Sequence, residues 1–326
     1  MIINERLESI VTLRAIAALL VCLIHLAMIS GFHTTGILQA LINEGQSGVA
    51  IFFVISGFIL PYSLYKKVYL IKDFFSFLTG RIIRIDPPYW ASIILVFLIG
   101  LQPLIALNAK SVLLHLTYLV PFISDAHWYS DVYWTLSIEF QYYILIGLAY
   151  PFLMRLKPLY ALSAVIIPSV ICILLKANFR GIIITNLYDF TIGFIVFLGF
   201  TKRLNLKITL AALFVFSFYV MQSVSIKSGA VPIIAALFLL FYKPEFSLKP
   251  VLFIGNISYS LYLIHVPISI LVVRIAQKHI ASSGYLLFIT FSGSILASYI
   301  FYLLIEKPSI KFSRLFRSNP LKSQLK

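Results

Sequence analysis

Apolar residues run along the chain in blocks of about twenty, separated by short polar or charged segments. An α-helix rises 1.5 Å per residue, so about 20 apolar residues cross a hydrocarbon core of about 30 Å. Ten blocks approach this length, and the eighth is the shortest of them. The pattern predicts an all-α integral membrane protein with about ten transmembrane helices, over residues 10–30, 48–65, 87–107, 132–154, 158–176, 182–200, 207–223, 229–243, 251–272 and 284–305.

One further apolar run, SVLLHLTYLVPFI at residues 111–123, is too short and too polar for a span. We expect it to lie at the interface or to re-enter the membrane. Composition supports the membrane class, because 61% of the 326 residues are hydrophobic and 11% are charged, whereas soluble proteins are about 25% charged. Cys22 and Cys172 both lie in apolar blocks, which argues against a disulfide framework.

The basic residues are distributed unevenly between the two sides of the predicted bundle. If the N-terminus is cytoplasmic, 20 of the 26 lysines and arginines fall on the cytoplasmic side. Such a bias predicts both termini in the cytoplasm and accounts for the net charge of +15 without a nucleic-acid partner. We expect a transmembrane domain over residues 1–308 and a basic cytoplasmic tail over residues 309–326, and no cleaved signal peptide.

Two ionisable residues stand on one face of the first block. At about 100° per residue, the eleven steps from Arg14 to His25 return to within about 20° of the same face, about 16 Å further along the axis. Ionisable groups inside a span cost a few kcal/mol, so they indicate function. The alternative to a functional His25 is a structural one, in which a neutral ring is hydrogen-bonded to a neighbouring helix.

Two later blocks carry further charged groups. Glu139, about two turns into the fourth span, needs a partner, and His25 or an arginine is the natural one. Arg81 and Arg84 lie one helical turn apart at the predicted cytoplasmic edge, where they could hold phosphate oxygens or anchor the chain by their charge alone. The prolines at residues 87–88 predict a helix boundary there.

Polar and small residues form three more stretches. In residues 45–58, GQSGVAIFFVISGF, the glycines permit close helix packing. In residues 255–268, GNISYSLYLIHVPI, polar side chains recur at three- and four-residue spacing. Glu306 stands beside Lys307 at the end of the last block. The alternative to a functional role for Glu306 is a surface ion pair with Lys307, which would contribute little to stability.

These stretches, in this order, resemble the acyltransferase 3 family of bacterial integral-membrane O-acyltransferases. The resemblance implies ten helices that cross the inner (cytoplasmic) membrane of a bacterium, with both termini in the cytoplasm. Because no hydrolase-like domain follows the last helix, the chain is similar to the stand-alone members, which mostly acetylate sugars of exopolysaccharides, O-antigens or glycolipids. The matching segments are Arg14 with His25, GVAIFFVISGF, Arg81 and Arg84 before Pro87, WTLSIEF at 134–140, SYSLYLIH at 258–265, and Glu306 with Pro308.

The resemblance also implies the chemistry. The donor would be acetyl-CoA or another acyl-CoA, without a metal, and the acceptor a glycan or glycolipid hydroxyl. Arg14, Arg81 and Arg84 would bind the donor. His25 would be the general base or a transient acyl carrier, oriented by Glu139. The secondary candidates for contact with the substrate or the oxyanion are Ser137, Ser258, Tyr259, Tyr262 and His265.

A second class of function fits the same buried charges. A proton-coupled transporter or glycolipid flippase would also place a histidine and carboxylates inside the membrane. The absence of an inverted repeat in hydropathy or motifs argues against it. The sequence does not identify the acceptor sugar, the acyl chain length or the oligomeric state.

Overall fold

In the computed structural model, helices are the only regular secondary structure of the described residues, and turns and irregular segments connect them. The structure describes the backbone of residues 2–242 and 248–316, and side chains from residue 8 onward within those ranges. The last residue of the predicted eighth helix and the tail from residue 317 lie outside the described residues. The α-helices are α1 (Ile2–Ser30), α2 (Gly36–Asn43), α3 (Ser47–Tyr65), α4 (Phe74–Leu98), α5 (Ala109–Leu116), α6 (Trp134–Arg155), α7 (Pro158–Leu174), α8 (Leu187–Phe200), α9 (Leu206–Ser223), α10 (Ile226–Phe241), α11 (Lys249–Ala276), α12 (Ser283–Phe301) and α13 (Lys307–Ser313).

Each of the ten predicted segments overlaps one of these helices. By length and composition, six helices of the described chain could cross a membrane: α1, α3, α6, α9, α11, and α12 together with its continuation through α13. Helices α7, α8 and α10 are apolar but have 17 residues or fewer. The chain is therefore a multi-pass helical protein, while the count of ten spans and the side of the termini stay predictions.

Helix α4 corrects the third predicted segment. It begins at Phe74, thirteen residues before the expected start, and runs through Pro87 and Pro88 to Leu98. The prolines therefore lie inside a helix and do not bound one. The helix ends where Gly100 adopts a positive φ of 66°, a common way to terminate a helix. The predicted extension to residue 107 is wrong because this glycine interrupts it.

Close backbone contacts hold the centre of the bundle together. A methyl group at Gly57 of α3 would overlap the Phe190 carbonyl oxygen of α8, and one at Gly48 would overlap the Ala17 carbonyl oxygen of α1. The glycines of residues 45–58 thus have the packing role that small residues take between membrane helices. Helix α1 also packs extensively on α11. This packing brings the helix that carries Arg14 and His25 against residues 255–268.

Two short elements lie at the ends of the bundle. Residues 111–123 form the end of α5 and a 3₁₀ turn, Val120–Phe122, with no long helix. At the other end, α12 continues through a π-helical segment, Tyr302–Glu306, into α13, which packs against α4. The helix thus crosses the predicted domain boundary at residue 308 without a break.

Candidate active site

A cavity of about 570 Å³ opens between helices α1, α3, α4, α6 and α11. Along α3 its lining extends from Val49 to Leu64, about 22 Å of helix at 1.5 Å per residue, and Lys66 and Lys67 follow in the turn after the helix. One end is bordered by the exposed Lys66 and Phe316, and the other by the buried Thr135 and Tyr262. The cavity therefore enters from one end of the bundle and ends deep inside it.

Charged side chains along the cavity wall are mostly basic. Five basic residues line it against three acidic ones, so the local charge favours an anionic ligand. The predicted cofactor residues are all among them. The basic residues are Arg14, Lys66, Lys67, Arg81 and Arg84, and the acidic residues are Asp73, Glu139 and Glu306.

Arg14 projects from α1 into this cavity. Its Nε donates a hydrogen bond to Ser258 Oγ at 3.1 Å, and the Ser258 hydroxyl donates to the Gly255 carbonyl at 2.8 Å. Arg84, Glu306 and Glu139 lie close enough to interact electrostatically with its charge. The guanidinium is thus fixed through its Nε, and its terminal N–H groups form no hydrogen bond with the described residues of the protein.

Arg81 and Arg84 differ in how tightly they are held. Arg81 donates to Ser63 Oγ at 3.3 Å and lies over the rings of Phe77 and Tyr143, at 5.5 and 5.6 Å from their centroids. Arg84 forms no hydrogen bond or ion pair with any residue in the described ranges. A guanidinium that faces a cavity without a protein partner is suited to bind an anion.

Glu139 also lines the cavity, and of the two partners that the sequence suggested, His25 or an arginine, it does not contact His25. Its Oε1 accepts hydrogen bonds from the Tyr143 hydroxyl at 2.6 Å and from the Ser56 hydroxyl at 3.2 Å. The expectation that Glu139 pairs with and orients His25 is therefore wrong in this structure. Its charge acts instead on Arg14, inside the cavity.

Glu306 is buried, so the alternative of a surface ion pair with Lys307 does not describe it. Its Oε2 accepts hydrogen bonds from both the backbone N–H and the hydroxyl of Ser260, at 3.1 and 2.5 Å. The π-helical segment that ends at Glu306 places the carboxylate against α11. This arrangement adds a fixed negative charge beside Arg14 and Arg84.

The inner end of the cavity is closed by a layer of apolar side chains. Val21, Val49, Phe52 and Tyr262 belong to one cluster, which we call the closing layer. The Tyr262 hydroxyl donates to the Val132 carbonyl at 3.1 Å and shares a 2.7 Å hydrogen bond with Thr135 Oγ1. These bonds hold the Tyr262 ring across the end of the cavity.

His25 lies beyond the closing layer, one helical turn past Val21, and does not line the cavity. It is partly exposed. Its Nδ1 lies 2.9 Å from the Val21 carbonyl oxygen and 3.1 Å from Nε2 of the fully buried His265. The structure thus brings Arg14 into the cavity but places His25 behind its end, paired with a residue 240 positions away.

The secondary candidates separate into two groups. Ser258 and Tyr259 line the cavity, and the Tyr259 hydroxyl donates to the Ile85 carbonyl at 2.9 Å. Ser137 is fully buried, donates to the Tyr118 carbonyl at 3.0 Å and does not line the cavity. Its placement favours a structural role over contact with a substrate.

A family model described as an acyltransferase domain, acyltransferase 3, matches residues 7–303, nearly the whole chain. The chain belongs to the acyltransferase 3 family. No curated protein and no solved structure gives a significant match. Membership makes the chain a membrane acyltransferase of a general kind, and it gives no support to the transporter alternative.

Sequence reasoning missed several residues of this candidate site. Lys66 and Lys67 border the cavity entrance, and Ser56 and Tyr143 hold Glu139. Tyr143 stands four residues after Glu139, which places it on the same helix face, so that partner could have been found from spacing. Ser56 belongs to another helix, and no spacing in the sequence points to it.

Proposed function

We propose that this protein is a membrane O-acyltransferase that moves an acetyl or other short acyl group from cytoplasmic acyl-CoA to a sugar hydroxyl. The acceptor class is an exopolysaccharide, an O-antigen or a glycolipid. The protein would lie in the bacterial inner membrane with ten spans and both termini cytoplasmic. The observation that carries the proposal is the basic cavity that ends one layer short of His25.

The basic entrance and the length of the cavity suit a CoA thioester. Lys66 and Lys67 at the entrance, with Arg81 deeper, offer cationic groups to the phosphates of CoA. The pantetheine arm would extend along the cavity towards Arg14 and Arg84. A helical lining about 22 Å long accommodates an extended arm that carries the thioester at its far end.

The charge distribution supports a cytoplasmic entrance. Lys66 and Lys67 belong to the loops that hold most of the basic residues, and such loops face the cytoplasm. His25 then lies towards the opposite face and is partly exposed. Donor and acceptor would approach the closing layer from opposite sides, which suits transfer to a glycan assembled at or beyond the membrane.

The proposed reaction uses His25 Nε2 as general base. The base takes the proton of the acceptor hydroxyl, the hydroxyl oxygen attacks the thioester carbonyl, and the carbon–sulfur bond breaks. The CoA thiolate takes up the proton, so an ester and free CoA thiol result. As an acyl carrier, His25 would instead receive the acyl group at Nε2 and pass it to the hydroxyl.

The thioester oxygen gains negative charge during the attack and needs donors. The hydroxyls of Ser258 and Tyr259 already donate to backbone carbonyls. Arg14 and Arg84 still have guanidinium N–H groups that face the cavity. We therefore assign the oxyanion contact to the arginines before the hydroxyls. Tyr262 must move aside for the thioester to meet His25, because its ring closes the end of the cavity.

The test uses the full chain in lipid vesicles with radiolabelled acetyl-CoA and glycolipid from a bacterial host. We expect release of CoA and a mass increase of one acetyl group on a defined sugar. His25→Ala should abolish acceptor acetylation, because general base catalysis contributes about 10²–10⁴-fold. His279→Ala, at an exposed histidine outside the site, is the matched control. Full activity of a well-folded His25→Ala protein would refute the assignment.

A further inference from the structure

The two histidines beyond the closing layer form a pair whose protons can be placed from their partners. His25 Nδ1 lies 2.9 Å from the Val21 carbonyl, and His265 Nδ1 lies 2.9 Å from the Leu261 carbonyl. The ring centroids are 5.1 Å apart. A carbonyl oxygen can only accept, so each ring nitrogen that faces one must carry a proton.

His265 then has one nitrogen left, and it faces His25. A neutral imidazole that is protonated on Nδ1 has its lone pair on Nε2. His265 Nε2, 3.1 Å from His25 Nδ1, is therefore an acceptor. The opposite assignment, with a proton on His265 Nε2, would aim an unprotonated His25 Nδ1 at the Val21 carbonyl and leave two acceptors facing each other.

We propose that His265 is a positioning residue that, with its unprotonated Nε2, holds the proton of His25 on Nδ1 and thereby keeps the lone pair of His25 on Nε2. The proton of His25 Nδ1 is shared between two acceptors, the Val21 carbonyl and His265 Nε2. Both a general base and an acyl carrier need the Nε2 lone pair. The arrangement thus serves either role of His25 in the proposed function, on which this inference rests.

Within the described structure, the surroundings of His265 fit the role of positioning the proton of His25. His265 is fully buried, and its Nδ1 is committed to Leu261. It does not line the cavity, so it does not reach a donor bound there. The neutral ring of His265 would take the part that a carboxylate has in serine hydrolases, where it orients the catalytic histidine. A neutral ring also avoids the cost of a buried charge in the membrane.

Two substitutions distinguish the contributions of Nδ1 and Nε2 of His265. His265→Asn keeps a side-chain donor near the place of Nδ1 and loses the acceptor at the place of Nε2, whereas His265→Gln can present an amide oxygen there. Ser269→Ala is the matched control, because Ser269 donates to the His265 backbone carbonyl and does not touch the ring. A merely structural role of His265 predicts no such order among the three variants.

The first measurement is the ring ¹⁵N NMR spectrum of the full chain in lipid, labelled at its histidines, with His25→Gln to assign the His25 signals. We expect a pyrrole-type Nδ1 and a pyridine-type Nε2 for His25 in the unmodified protein and in Ser269→Ala. His265→Asn should give a mixture of tautomers, and His265→Gln should largely restore the Nδ1–H form. This measurement needs no substrate.

The second measurement is the acyl transfer rate of the same proteins. We expect His265→Asn to lower kcat about tenfold or more, within the 10²–10⁴-fold that general base catalysis contributes, and His265→Gln to recover part of the loss. A proton on His25 Nε2 in the unmodified protein, or equal effects of Asn and Gln, would overturn the inference. If the tautomers follow the expectation but no protein transfers acyl groups, the proposed function fails and the tautomer assignment stands.

Discussion

Arg84 offers a direct test of donor binding, because its side chain faces the cavity without a protein partner in the described ranges. The change is Arg84→Ala. Since no internal hydrogen bond or ion pair is lost, the variant should fold as stably as the unmodified protein. Removal of the cation relieves its repulsion with Arg14 and loses its attraction to Glu306, so these two electrostatic effects on folding oppose each other. The effect should therefore fall on ligand binding alone.

The expected magnitude follows from one charge-assisted hydrogen bond. Such a bond contributes about 1.5–3 kcal/mol, which corresponds to a Kd for CoA that is about 10–150-fold weaker. The assay is calorimetric titration of CoA into purified protein in detergent, at two salt concentrations. Arg84→Lys should recover only part of the affinity, because an ammonium group does not reproduce the planar set of N–H donors that a guanidinium presents to the carbonyl oxygens of the pantetheine arm.

The matched control is Lys110→Ala, which removes one positive charge at an exposed position outside the cavity. It should leave the Kd for CoA within about twofold, because an exposed charge far from the ligand is screened beyond about 8–10 Å at physiological salt. An unchanged Kd for Arg84→Ala, or equal losses in both variants, would refute the assignment of Arg84 to the donor.

Three further substitutions test the architecture of the site. Glu306→Ala should lower the free energy of unfolding by about 1–3 kcal/mol, because the buried hydroxyl of Ser260 loses its acceptor. Glu306→Gln should lower it less, and thermal unfolding in detergent measures both. Tyr262→Phe should raise CoA release in the absence of acceptor, since the closing layer loses the hydrogen bonds of the hydroxyl; an unchanged hydrolysis rate would contradict its closing role. Gly57→Ala should destabilise the bundle by about 1–3 kcal/mol through overpacking. Gly293→Ala, whose methyl group would make an ordinary van der Waals contact with Val272, should cost less in the same unfolding assay.

The sequence predicted the long helices well because most of them are apolar all round. Helix α4 was the exception, and its first half explains why. Ser76, Gly80 and Arg84, spaced four residues apart, all line the cavity, so one face of this helix is polar although the helix lies within the bundle. Average hydropathy therefore underestimates it, and the proline pair at its centre gave a false boundary.

Spacing within one helix identified Arg14 and the Arg81–Arg84 pair, and all three line the cavity. Contacts between distant helices could not be predicted in the same way. Glu139 was expected to meet His25, but the two lie on opposite sides of the closing layer. The contacts between side chains on different helices depend on how each helix is rotated and how deep it lies in the bundle. The periodicity of a single sequence gives neither the rotation nor the depth.

The separation of His25 from the arginines has a chemical consequence. A thioester that reached His25 in an open channel would also meet water from the far side, and hydrolysis would compete with transfer. The closing layer keeps the cavity that holds Arg14 apart from the partly exposed His25. Under the proposed function, transfer requires Tyr262 to leave its hydrogen bonds to Thr135 and Val132. An acceptor that displaces Tyr262 as it binds would open the path only when a hydroxyl is present, which makes the closing layer the element that links acceptor binding to acyl transfer.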